Sequence, residues 1–143
     1  MPHLKEIRTS LEVGFPDGQL PEAFLRFRGV NSRTIGAVSE FPYEDAQFEV
    51  VLMDAGTVSR ASVKEAHRVL KPAGRLIFTV PEKTKKQGGF ILPEIYSMVR
   101  DGFNITEVER SPWWFFRLRG RTITVCATKK NWKTLNNTYR PYV

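Results

Sequence analysis

Residues 67–80 read HRVLKPAGRLIFTV. The first four close an apolar helical stripe. KPAG then interrupts it, because proline offers no N–H to a helix and glycine readily turns the chain. RLIFTV, residues 75–80, is a continuous apolar run. Such runs suit strands covered on both faces, as in parallel sheets, rather than half-exposed strands that alternate. Upstream, SRASVKEAHRVL (59–70) sets Val63, Ala66, Val69 and Leu70 on one helical stripe. Ser62 and Glu65 have the spacing of a capping box. FEVVLM (48–53) is a second continuous strand.

The same reading extends outward. TSLEV (9–13) is a short buried strand that ends at Gly14. QLPEAFLRF predicts a short helix with Pro21 in its first turn, Leu20, Phe24 and Phe27 on one face, and a stop near Gly29. RTIGAVSEF (33–41) reads as a strand running into a turn. Beyond the lysine-rich PEKTKKQGG, Pro93 opens a helix expected to face Leu92, Ile95, Tyr96 and Val99 inward and to stop at a left-handed Gly102. NITEVER (104–110) and RTITVCAT (121–128) alternate and read as neighbouring strands joined by SPWWFFRLRG. Cys126 alternates with Ile123 and Val125 and is expected to be a small buried hydrophobe. This order predicts an α/β domain with a mostly parallel sheet and an antiparallel C-terminal strand. One domain, 1–143, is expected, with its core over about 9–130 and a tail at 131–143.

Composition narrows the function classes. The 143 residues are 41% apolar and 26% charged, which is ordinary for a globular chain. No apolar run reaches the ~18 residues of a membrane span, and the N-terminus has no signal core. With one cysteine and two distant histidines, neither a disulfide nor a zinc site is expected, and a cytoplasmic setting fits. The net charge is +7 and uneven: residues 1–80 balance ten basic against ten acidic side chains, whereas 81–143 carry twelve against five. That bias marks a candidate anionic partner or a solvated basic face. In WWFFRLRGR, Trp113–Arg121, aromatics interleave with arginines. The stretch suits stacking on bases and meeting phosphates, seating at a lipid interface, or completing the core or a dimer contact.

FPYEDAQFEVVLMDAG, a helix, and HRVLKPAGRLIFTV together resemble the class I S-adenosylmethionine-dependent methyltransferases. Pro42, Tyr43, Asp45, Phe48 and Glu49 echo that family's approach to its fourth strand; Arg68–Leu76 echo the block before its fifth, with Ala73 for a usual glycine. The resemblance covers roughly 9–130 and implies a reduced Rossmann-like methyltransferase fold, with the cofactor over the carboxyl ends of the first strands. It also assigns a role to LEVGFPDGQL (11–20), where the family carries Asp/Glu-x-Gly-x-Gly-x-Gly. Glu12, Gly14 and Gly18 match three of those positions, but Pro16 replaces the middle glycine, with neither an N–H nor access to positive φ. Asp54, at the end of the fourth strand, and Ala37, where the third strand would offer an adenine-facing aspartate, complete the cofactor-side set. A capping or turn role for Asp54 is the competing reading.

The interval from Gly18 to Gly36 has room for one short helix and a loop, so the expected second strand and its ribose-binding acid have no candidate in FRGVNS. Hydrogen bonds to charged groups contribute about 1.5–3 kcal/mol each, so two such losses would weaken S-adenosylmethionine about a hundredfold or more. A weak or absent cofactor follows from the resemblance, and with it a pseudoenzyme: a scaffold or interaction module. The alternatives are an active small methyltransferase on an unknown acceptor and a basic aromatic nucleic-acid-binding module. An exposed sheet edge is expected to invite a homo-oligomer or a protein partner.

Overall fold

The computed structural model describes residues 6–16, 19–84, 88–111 and 121–130. Its six strands are β1 (Thr9–Val13), β2 (Asn31–Ile35), β3 (Phe48–Met53), β4 (Leu70–Pro81), β5 (Phe103–Ser111) and β6 (Thr122–Lys129). They form one sheet in the order β2-β1-β3-β4-β6-β5. β1 pairs in parallel with β2 and β3, and β3 with β4. β6 lies antiparallel between β4 and β5, which confirms the expected mostly parallel sheet and its reversed last strand.

The two faces are covered differently. On the first, α1 (Arg60–Val69) and α2 (Leu92–Val99) bury Val63, Ala66, Val69, Ile95 and Val99 against Leu11, Val51, Leu76, Phe78 and Val125. On the second, among the described residues, the only helix is a six-residue 3-10 segment, Glu22–Phe27, which packs Phe24 and Phe27 with Val50, Leu52 and Ile77. The sequence reading of a short helix here holds, but in its tighter form: the chain must reach β2 within three residues of Phe27.

Several boundaries differ from the sequence reading for local reasons. β2 starts at Asn31 and stops at Ile35 rather than spanning 33–41. Its partner β1 runs out at Val13, where Gly14 turns away at φ +83°; the Gly14 N–H to Ile35 carbonyl bond, 2.8 Å, is the last between them. β4 begins at Leu70, so KPAG lies within a strand. The register passes from Phe48 opposite Leu70 to Val50 opposite Arg75, so the extra residues loop out there, with Ala73 at φ +65°. The α1 cap lies a turn earlier than Ser62: Ser59 caps the helix and exchanges hydrogen bonds with Ser62. Glu65 is thereby left to accept from the Phe41 N–H and from Arg68.

Tyr96, expected inside, is 41% exposed; Ile95 and Val99 fill the seam instead. Gly102 does not adopt a left-handed conformation. It is needed because a Cβ there would lie 2.5 Å from the His67 ring. Cys126 is half-buried, on the opposite side of β6 from the buried Ile123, Val125 and Ala127.

Candidate functional site

Strand order reverses between β1 and β3, and ligands of open α/β sheets bind outside the carboxyl ends of strands at such a point. Two short connections meet there: the turn after β1 and a three-residue 3-10 turn, Ala55–Thr57, after β3. Backbone bonds lace them together. The Asp54 N–H donates to the Val13 carbonyl at 3.0 Å, and the Thr57 N–H to the Asp54 carbonyl at 2.9 Å. The Thr57 hydroxyl donates to that same carbonyl at 2.7 Å, which fixes its rotamer. Its methyl group thereby lies against Gly14, where any added Cβ would collide with it.

The fold brings most of the sequence-predicted cofactor residues to this edge. Gly14 makes the turn, and Asp54 stands half-buried at the head of the 3-10 turn with no side-chain cap bond. Ala37 lies exposed two residues past β2. Its expected place on a third strand is corrected by the pairing. β2 sits directly beside β1, the second-strand slot in the 3-2-1-4-5-6 order of doubly wound sheets, so among the described residues the outer slot is the one left empty. Gly18 lies outside the described residues, as do residues 113–120 of the aromatic–arginine stretch.

Glu12 is placed differently from the others. It is 1% exposed and points to the second face, where both carboxylate oxygens accept from Arg28: Nε to Oε2 at 2.7 Å and Nη2 to Oε1 at 2.9 Å. This planar two-bond geometry is the strong form of an ion pair. Beside it the buried Ser10 hydroxyl accepts from the Gly29 N–H. Ser10 and Glu12 of β1 thus hold the returning chain as it enters β2. The Glu12 carboxylate in turn raises the Arg28 pKa, chiefly through their hydrogen bond.

Sequence reasoning missed Arg28, Thr57 and Arg68. Arg68 ties the approach to β3: it donates to Glu65, to Asp45 and to the carbonyls of Phe41 and Tyr43. Its hydrogen bond holds the Glu65 carboxyl below the usual range. His67 sits at the far end of α1, edge-to-face on Phe103 with ring centroids 5.3 Å apart. That is the amino-terminal edge of the parallel strands, opposite Asp54, so the two form no acid–base pair. Among the described residues no three His, Cys, Asp or Glu side chains gather for a metal, and no helix is long and apolar enough to cross a membrane.

No protein-family model matches the sequence, and no curated protein does. Solved structures do match in fold. A SAM-dependent methyltransferase from Methanosarcina mazei superposes at TM-score 0.67 with 14% identity, over 89% of this chain and 94% of that one. The Burkholderia thailandensis 1,6-didemethyltoxoflavin-N1-methyltransferase, solved with 1,6-didemethyltoxoflavin and S-adenosylhomocysteine, gives 0.65 and 17%, over 90% of this chain and 74% of that one. The [4+2]-cyclase SpnF gives 0.64 and 16%, over 89% and 76%. At such identities the likeness is one of architecture: the chain has a reduced form of the Rossmann-like fold of the class I S-adenosylmethionine-dependent methyltransferases.

Proposed function

We propose that this chain is a methyltransferase-fold module without methyl transfer, whose donor site is closed and whose role is to bind other macromolecules. The observation that carries the reading is the packing of Thr57 against Gly14. In the family that the sequence resembles, the glycines of the first turn let the backbone approach the donor. Here the Thr57 methyl group packs against Gly14, which we read as taking that approach, and Pro16 offers no N–H at the next glycine position. The Glu12 carboxylate is committed to Arg28. Past β2 the first acid is Glu40, five residues beyond Ile35, so among the described residues the segment that follows β2 offers no carboxylate at the strand end to meet a ribose. The described residues of this site do not fit the adenosyl group. That a fold neighbour is a [4+2]-cyclase agrees with the general rule that function lives in the site rather than in the fold.

A protein partner has a ready seat at β2. The strand forms one edge of the sheet, and Asn31, Ser32, Arg33 and Thr34 are exposed along it. An edge offers unpaired backbone donors and acceptors to an added strand. Arg33 there favours an incoming strand that carries a carboxylate. A cytoplasmic location accords with the single thiol, Cys126.

Titration calorimetry with S-adenosylmethionine and S-adenosylhomocysteine tests the closed site. No heat is expected up to about 1 mM ligand, whereas a micromolar dissociation constant would restore the enzyme reading.

A further inference from the structure

The second face of the sheet is a step. Its raised half is the Glu22–Phe27 helix over β3 and β4; its low half is the outer pair β6 and β5. Side chains cross the low half in two rows, Ile77–Cys126–Glu107 and Thr79–Thr124–Glu109. Thr79 and Thr124 share a hydrogen bond of 2.8 Å, so covering them leaves little polar demand unmet. Glu107 and Glu109 are exposed. A cleft of about 240 Å³ runs along the foot of the step.

The side chains that flank the foot of the step carry opposite charge on its two levels. On the raised side, Arg26 and Arg75 both lie over the Phe27 ring, at 4.6 and 5.6 Å from its centroid. On the low side stand Glu107 and Glu109, roughly 10 Å from β4 across two strand spacings. Leu25, on the raised helix, is 48% exposed.

We propose that this face binds a second copy of the same chain. A twofold axis lying in the plane of contact, along the foot of the step, exchanges high for low and basic for acidic. Each copy's helix then rests on the other's β6 and β5. Leu25 enters the row of threonines and Cys126, while Arg26 and Arg75 meet the other copy's Glu107 and Glu109. An isologous contact must be complementary to itself, and a step with opposite charge on its two levels has that property. A foreign helix would need only one of those features. The interface lies on the sheet face, away from the β2 edge, and is independent of whether the donor site is closed.

Two charge reversals test it by sedimentation, from low micromolar to a few hundred micromolar. The wild type is expected to dimerise reversibly. Arg26→Glu with Arg75→Glu makes both levels acidic; Glu107→Lys with Glu109→Lys makes both basic. Each variant alone is expected to weaken self-association by about tenfold or more. Mixed in equal amounts they should recover a heterodimer, and the chain with all four reversals should dimerise again by itself. Circular dichroism shows whether each variant is folded.

A wild type that stays monomeric throughout overturns the proposal. So do variants that dimerise alone as well as the wild type does, or a mixture that fails to associate while both components are folded. A monomer whose Cys126 resists a thiol reagent at every dilution means that the chain's own residues cover the face, which also overturns it.

Discussion

Replacing Arg28 by alanine tests the reading of Glu12 as an anchor of the fold. The carboxylate is 1% exposed, while the Arg28 side chain is 35% exposed, so only one end of the pair is truly removed from water. Breaking a fully buried pair by deleting one partner costs about 3–5 kcal/mol, because a charge is left without its counterpart. With Arg28 a third exposed, water can reach part of the gap, and we expect about 2–3 kcal/mol for Arg28→Ala. At a urea slope of ~2 kcal/mol/M, that lowers the unfolding midpoint by about 1 M. The control is Glu12→Gln in the same background. It removes the stranded charge but keeps the shape, so the double variant should be more stable than Arg28→Ala by about 1 kcal/mol or more. Equilibrium urea unfolding followed by tryptophan fluorescence reads both. If Arg28→Ala unfolds at the wild-type midpoint, or Glu12→Gln brings no recovery, the pair does not hold the chain between Phe27 and β2.

Burial, and then the nearby Lys129, push the His67 pKa below its ordinary 6.5. A depressed folded pKa means that the unfolded chain takes up the proton first. Stability should therefore be intact above about pH 6.5 and fall as pH drops through the lower folded value; an NMR titration of the imidazole with parallel unfolding curves checks both. Gly102→Ala drives a Cβ into the His67 ring and should cost about 1–3 kcal/mol by urea unfolding, with most of that returned by adding His67→Ala. Calorimetry with the methyl donor and sedimentation of the charge-reversed pair complete the set.

How far the sequence could be read follows from the range of each interaction. The strands β1, β3, β4, β5 and β6 and both α-helices were legible because their signals are local: continuous or alternating apolar runs, a 3.6-residue stripe, and proline and glycine breaks. β2 was misplaced because four of its five residues are exposed and carry no apolar pattern; only its neighbour's length and the turn at Gly14 set its end. The candidate site was half legible for the same reason. Its glycine turn and Asp54 follow strands that announce themselves. The partners that decide its chemistry do not: Arg28 lies 16 residues from Glu12, and Thr57 reaches Gly14 from the far side of the strand-order reversal. A motif records which residues stand at a strand end. It does not record whether a side chain from elsewhere has already taken the space or the charge that the motif would offer a ligand. With one 3-10 helix on the second face among the described residues, those long-range contacts hold the chain between β1 and β2. The same acid that would orient a ligand can then serve the fold instead, and the stability of Arg28→Ala measures how completely it does.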